Sequence, residues 1–183
     1  MRKLSSQRIA VLVDADNIEI VARDTFERSI DYRALWRAMN GREVVRALYF
    51  KPRDCPQRLR TFLEKSLGME VKVTPKNVDT HLAMAAVTLA ERVDTIAICG
   101  GDSDYVPVLH YLRSKGCKTE VWSFPAATSA ALRGAADEFR PLDESILLPG
   151  RSKGATAAVS QPLQTVVPVS RGLEAGTTGE AHS

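Results

Sequence analysis

Two short clusters of carboxylates are the residues best equipped to do chemistry: Asp14 and Asp16 with Asn17 in Val-Asp-Ala-Asp-Asn at 13–17, and Asp102 and Asp104 in Gly-Gly-Asp-Ser-Asp at 100–104. Each follows directly on an apolar run rich in β-branched residues, 9–13 and 95–99, so each is expected where a buried strand ends and the chain turns into a loop or helix. A single Asp or Asn in such a place needs no more explanation than a helix cap or a turn, and that plain reading applies to Asn17 or Asp79 taken alone. A cap uses one side chain, however, and each cluster supplies a second carboxylate. Carboxylates within a few ångströms of one another repel unless protons or a cation neutralise them. A hard divalent ion, Mg²⁺ or Mn²⁺, is the natural partner for several Asp oxygens and for substrate phosphate oxygens. Such an ion lowers the pKa of a bound water and balances charge on a phosphodiester during in-line attack, with no Ser, His or Cys nucleophile required.

The elements that must position these acids alternate in type. Strand runs at 9–13, 44–50, 69–74, 95–99 and 118–123 are interleaved with helical patterns, an order that predicts an α/β fold with a central, mainly parallel five-stranded sheet covered by helices on both faces. Asp31 is placed to cap a helix carrying Tyr32, Leu35, Trp36 and Met39, with Gly41 as its stop. A second helix is expected over 56–67, stopping at Gly68. Val78, Leu82, Ala86 and Leu89 recur at helical spacing, placing Asp79 near the start of a helix that runs to about 92. Val106, Leu109, His110 and Leu112 mark the next, with Pro107 in its first turn and Gly116 as its C-terminal cap. A last helix is expected over 129–139.

If all strands run parallel, the segments after them emerge at one edge of the sheet, where open α/β sheets keep their chemistry. That edge then gathers Asp14, Asp16 and Asn17, Lys51 and Arg53, Lys76 and Asp79, Asp102 and Asp104, and Ser123. Singly, Lys51, Arg53, Arg58, Arg60, Lys72 and Lys76 read as solvated surface; their position beside the acids makes Lys51, Arg53 and Lys76 the candidates for phosphate contact. Tyr49, Phe50 and Trp122 read as core. Gly100 and Gly101 serve a tight turn or a close backbone approach.

Composition narrows the field. The chain has 183 residues and a formal net charge of +3, which predicts one domain over 1–148 and does not by itself announce a nucleic-acid binder. Cys55, Cys99 and Cys117 form no Cys-x-x-Cys pair and no disulfide framework, which fits a reducing, cytoplasmic setting. Basic residues Arg2, Lys3 and Arg8 precede an apolar run cut short at Asp14, so no signal peptide is expected, and no segment is long enough to span a membrane. His81 and His110 fall inside helical patterns and His182 near the end of the chain, none placed like a zinc ligand or the base of a triad. From 149 the sequence turns to Gly, Ala, Ser, Thr and Pro without period, and 149–183 is read as a disordered tail; 161–169 has some strand character against Pro162 and Pro168.

The motifs at 13–17, Lys-Asn-Val-Asp at 76–79, Cys-Gly-Gly-Asp-Ser-Asp-Tyr at 99–105 and Lys-Gly-Cys-Lys-Thr-Glu-Val-Trp at 115–122 together resemble the NYN domain. That family includes the LabA-like proteins and belongs to the PIN-like nuclease group. The resemblance runs from about Arg8 to Leu142. It implies a three-layer α/β/α fold and a metal-dependent ribonuclease acting on RNA with Mg²⁺ or Mn²⁺. Carried over by position, Asp14, Asp79, Asp102 and Asp104 are the catalytic, metal-binding acids, with Asn17 as a polar partner at the site; Asp16 and Ser103, beside them in the sequence, are further candidates to support it. Members of the family often carry a further Asp about six residues after the position of Asp79; here 82–86 reads Leu-Ala-Met-Ala-Ala. Asp16 is then the acid available to restore that charge from the other side of the site.

Three functions are compatible with these residues. The first is a metal-dependent endoribonuclease. The second is an RNA-binding regulatory module without turnover, which the Ala85 departure permits. The third is a phosphatase of the haloacid dehalogenase type with Asp14 as nucleophile and Asp16 as acid, opposed by Ile18 at a position that family usually fills with Thr or Val and by the short spacing of Asp102 and Asp104. A homodimer is compatible with the sequence, and no protein partner is indicated by it.

Overall fold

The computed structural model describes residues 7–39 and 41–150, and the expectations for 151–183 and for Arg2, Lys3 and His182 lie outside the described residues. The chain runs β1 (Arg8–Asp14), α1 (Ala15–Phe26), α2 (Tyr32–Met39), β2 (Glu43–Pro52), α3 (Gln57–Ser66), β3 (Glu70–Thr74), α4 (Val78–Leu89), β4 (Thr95–Cys99), α5 (Val106–Ser114), β5 (Lys118–Ser123), α6 (Ala130–Ala135) and β6 (Glu138–Pro141). One sheet holds all six strands in the order β3-β2-β1-β4-β5-β6, and every neighbouring pair is parallel.

The central strands β1 and β4 read as nearly unbroken apolar runs because both sheet faces are covered there. Ile9, Val11 and Val13 of β1 pack with Ile18, Leu35, Tyr49 and Leu63 on one side. Ala10 and Leu12 pack with Leu82, Ala86, Ile98, Leu109 and Leu132 on the other. The two side-chain sets of one strand thus feed two cores, one under α1 to α3 and one under α4 to α6.

Strand order places the site. Chain progress from β1 to β3 goes outward in one direction, then α4 carries it back so that β4 lies on the other side of β1. The register pairs Val13 with Cys99, which sets Asp14 beside Gly100 at the C-terminal ends of the two central strands. This is the point at which the direction of winding reverses and a crevice opens above the sheet.

Two elements differ from the sequence expectation. Helix α1, not anticipated, begins directly after Asp14, whose side chain is its N-cap and accepts from the Asn17 amide at 3.2 Å. The helix expected over 129–139 stops at Ala135 and the chain continues as a sixth strand. The reason is the open edge of β5: the Asp137 carboxylate takes the Thr119 amide at 2.9 Å and its hydroxyl at 2.8 Å, and Glu138 to Pro141 then pair alongside. A strand ending in Pro is tolerated there because it is an edge. Among the described residues no helix is long and apolar enough to cross a membrane.

Candidate metal centre

Asp102 and Asp104 occupy a short turn of 3-10 helix, Ser103–Tyr105, that starts as β4 ends. Asp102 caps it, one carboxylate oxygen accepting from the Asp104 amide at 3.0 Å. Asp79 stands in the first turn of α4. The three acids can each offer one carboxylate oxygen such that all lie within 4.8 Å of one another. Asp79 and Asp102 are half-buried and Asp104 is exposed, so the group is open to solvent on one side. Among the described residues no lysine or arginine forms an ion pair with any of them, whereas Asp16 is paired. Three oxygen donors with no neutralising side chain suit a hard divalent cation.

Asp14 is set behind this group. It is 5 % exposed, and both its oxygens are engaged, one by the Asn17 amide at 3.2 Å and the other by the Tyr105 hydroxyl at 2.6 Å. The same hydroxyl lies 2.9 Å from an Asp79 oxygen. Burial pushes the Asp14 carboxyl above its ordinary value; the Tyr105 hydroxyl and the Asn17 amide pull it down, while the charges of Asp79 and Asp16 push it up. Burial, the Asp14 carboxylate beside it and the nearby Asp79 charge raise Tyr105 far out of its normal range, so its hydroxyl stays a donor. Sequence reasoning missed Tyr105 as a site residue, although it closes the motif Gly-Gly-Asp-Ser-Asp-Tyr.

Asn17 straps α1 to the loop after β4: its side-chain oxygen accepts from the Gly101 amide at 2.6 Å. The two glycines are explained by crowding. A Cβ at Gly100 would sit 3.2 Å from the Tyr105 ring and 3.4 Å from Asp14 Cβ, and one at Gly101 would sit 2.5 Å from the Ala127 carbonyl oxygen.

The expected basic residues divide. Lys51 Nζ holds Asp16 at 2.6 Å and also bonds Glu19. Glu19 in turn accepts from the hydroxyls of Tyr32 and Tyr49, the latter at 2.8 Å. Lys51 is therefore committed within a half-buried network, and Glu19, on a helix the sequence did not announce, was not anticipated. Arg53 and Lys76 are exposed on the same edge. Ser103 is exposed beside Asp104, and Ser123 lies against Gly101. His81 and His110 are exposed on α4 and α5. Ala85 packs against the core beneath α4, while Ala83 borders a groove of about 760 Å³ that opens at Asp79 and Asp104.

Comparison with known proteins agrees with this fold. The chain is 25 % identical over 149 residues to an uncharacterized protein of Methanocaldococcus jannaschii; the match takes in 80 % of this chain and 60 % of that protein, so the chain spans about 60 % of its relative's length. A crystal structure of a protein of unknown function from Vibrio parahaemolyticus superposes with a TM-score of 0.73 at 25 % identity, covering 81 % of this chain and 100 % of the other. The NYN domain model matches residues 8–143, and with the parallel sheet and the acids at its central crevice already in place, the chain belongs to the NYN domain family.

Proposed function

We propose that the chain is a metal-dependent endoribonuclease of the LabA-like branch, its catalytic unit spanning 1–148. The observation that supports this best is the convergence of Asp79, Asp102 and Asp104, from two separate strand-to-helix junctions, on one solvent-open point with oxygens within 4.8 Å. These three would hold Mg²⁺ or Mn²⁺. A bound ion would supply a water acidified to nucleophilic strength and a positive charge against the phosphodiester oxygens.

The remaining work belongs to the protein's own groups. Asp14, expected as a direct ligand, stands one hydrogen bond back and orients Asp79 through Tyr105. Asn17 holds the Gly101 amide and with it the start of the turn that carries Asp102 and Asp104. Arg53 and Lys76, exposed on the same edge, are available to RNA phosphates. The cytoplasmic setting rests on the three scattered cysteines.

The phosphatase reading loses its nucleophile, since Asp14 is buried with both oxygens occupied and Asp16 is held by Lys51. The reading as a non-cleaving RNA-binding module is favoured by one observation: the face of α4 beyond Asp79 carries Ala83, Met84 and Val87 where a further acid would strengthen metal binding. The deciding experiment is Mn²⁺-dependent cleavage of single-stranded RNA by the wild type and by the Asp79→Asn and Asp102→Asn variants. Loss in both variants with retained fold supports the nuclease. Equal cleavage by all three proteins, or cleavage undiminished by EDTA, overturns it, and RNA binding without cleavage under either ion selects the second reading.

A further inference from the structure

On α4 two rows of side chains run side by side at helical spacing: Asp79, Ala83 and Val87 in one, Thr80, Met84 and Thr88 in the other. Together with Ser103, Asp104 and Pro107 they line the groove of about 760 Å³ that opens at the acid cluster. Its span along the helix, from Asp79 to Thr88, is about 13.5 Å at about 1.5 Å per residue. Met84 is 64 % exposed and Val87 38 % exposed, so its apolar wall has no partner within the described residues. No lysine or arginine lines it.

A groove with two carboxylates at its mouth and no cation repels phosphate. It can take the neutral, flat part of a nucleotide: apolar side chains meet the face of a base, and the hydroxyls of Thr80 and Ser103 meet its polar edges, while that of Thr88 donates to the Met84 carbonyl at 2.8 Å. We propose that this groove is a nucleobase subsite, which seats one unpaired base of the strand whose phosphate would be held by a divalent ion at Asp79, Asp102 and Asp104. The proposal rests on the nuclease reading of the acid cluster, and it adds that Met84 discriminates unpaired from paired substrate. A base in a duplex is stacked and paired, and must leave both arrangements to reach the groove.

The test measures binding by the full chain rather than turnover. Anisotropy of a fluorescein-labelled single-stranded oligoribonucleotide is recorded with Ca²⁺ in place of Mg²⁺, for the intact strand and for copies with one abasic position walked along it. Met84→Gln keeps size and helix propensity at an exposed position, so the fold is retained. The expected result is that one abasic position weakens binding to the wild type about fivefold, that Met84→Gln weakens the intact strand by a similar factor, and that the two losses do not add. Unchanged affinity in Met84→Gln overturns the subsite alone, as does an equal loss for intact and abasic strands. A wild-type dimer in sedimentation that Met84→Gln converts to monomer also overturns it, because the groove is then covered by a second copy. If the wild type shows no divalent-dependent binding that Asp102→Asn abolishes, the parent reading falls with it.

Discussion

The Tyr105 hydroxyl is within donating distance of two carboxylates, Asp14 at 2.6 Å across a separation of 91 residues and Asp79 at 2.9 Å. A phenol has one hydrogen to give, so the two carboxylates share it, and the buried Asp14 holds the shorter contact. Replacing Tyr105 with Phe leaves Asp14 buried with a missing partner. Such a loss costs about 1–3 kcal/mol, to be read from urea unfolding, and it frees Asp79 to rotate. Mn²⁺ affinity measured by calorimetry should fall about 10-fold or more, as for other groups that orient a ligand.

Replacing Asp102 with Asn should separate metal binding from folding. Asparagine keeps the carbonyl oxygen that caps the 3-10 turn through the Asp104 amide but removes the charge. Stability of Asp102→Asn should stay within about 0.5 kcal/mol of wild type, while Mn²⁺ affinity falls at least about 100-fold. Unfolding and calorimetry on one preparation check both.

Arg42 and Glu120 form a bidentate pair at 2.6 and 2.9 Å, with Glu120 fully buried and also accepting from Trp122 Nε1. Burial pushes the Glu120 carboxyl up, but the hydrogen bonds and charge of Arg42, helped by Trp122 and Lys118, hold it below its ordinary value. A carboxyl depressed in the folded state contributes stability that is fully present above its unfolded pKa, roughly 4.3, and is lost as pH falls through the folded value. Glu120→Gln should cost about 3 kcal/mol near neutrality and flatten the acid limb of a stability-versus-pH curve. Asp14 acts in the opposite sense, since its folded value is raised, so the check is the difference between variant and wild type.

Lys51 and Lys76 should behave differently toward RNA. Lys51 is held by Asp16 and Glu19, so Lys51→Met should lower stability by about 1–2 kcal/mol and leave the salt dependence of RNA binding unchanged. Lys76 is exposed, and Lys76→Ala should reduce the slope of log K against log salt by about 0.7, the value for one phosphate on a single strand. Titrations at several salt concentrations distinguish the two.

Gly101→Ala tests the crowding beneath the acids. The added methyl meets the Ala127 carbonyl oxygen at 2.5 Å and Ser123 Oγ at 2.7 Å. The backbone must shift, and the expected cost is about 1–3 kcal/mol in urea unfolding.

Much of this arrangement was legible in the sequence, for a physical reason. A strand buried on both faces reads as a continuous apolar run, so 95–99 coincides with β4; 118–123 coincides with β5 around Thr119, Val121 and Trp122, and a parallel sheet brings the two exits to one edge. Asp79 was placed correctly at the start of α4 because Val78, Leu82, Ala86 and Leu89 mark its buried side. Helix α1 was not legible: its buried residues Ala15, Ile18 and Ala22 have helical spacing, but two of the three are alanines and mark no apolar stripe, whereas α2 buries Tyr32, Leu35 and Met39 at the same spacing. Strand β6 was hidden because an edge strand is half-exposed and short. The order in which strands neighbour one another has no local signal either, and with it went the contacts that join distant positions: Tyr105 with Asp14, and Lys51 with Asp16 and Glu19.

Strand β1 pairs on one edge with β2 and on the other with β4. As the chain leaves the ribosome, the first edge can be satisfied early, but the second waits until β3 and α4 have been made. Long-range pairing of this kind comes late in folding. A growing chain therefore presents Asp14 long before Asp102 and Asp104 exist to meet it, and the acids are assembled only when the central strand gains its second neighbour. A site organised in this way is incomplete in any fragment that ends before β4 and the turn that follows it.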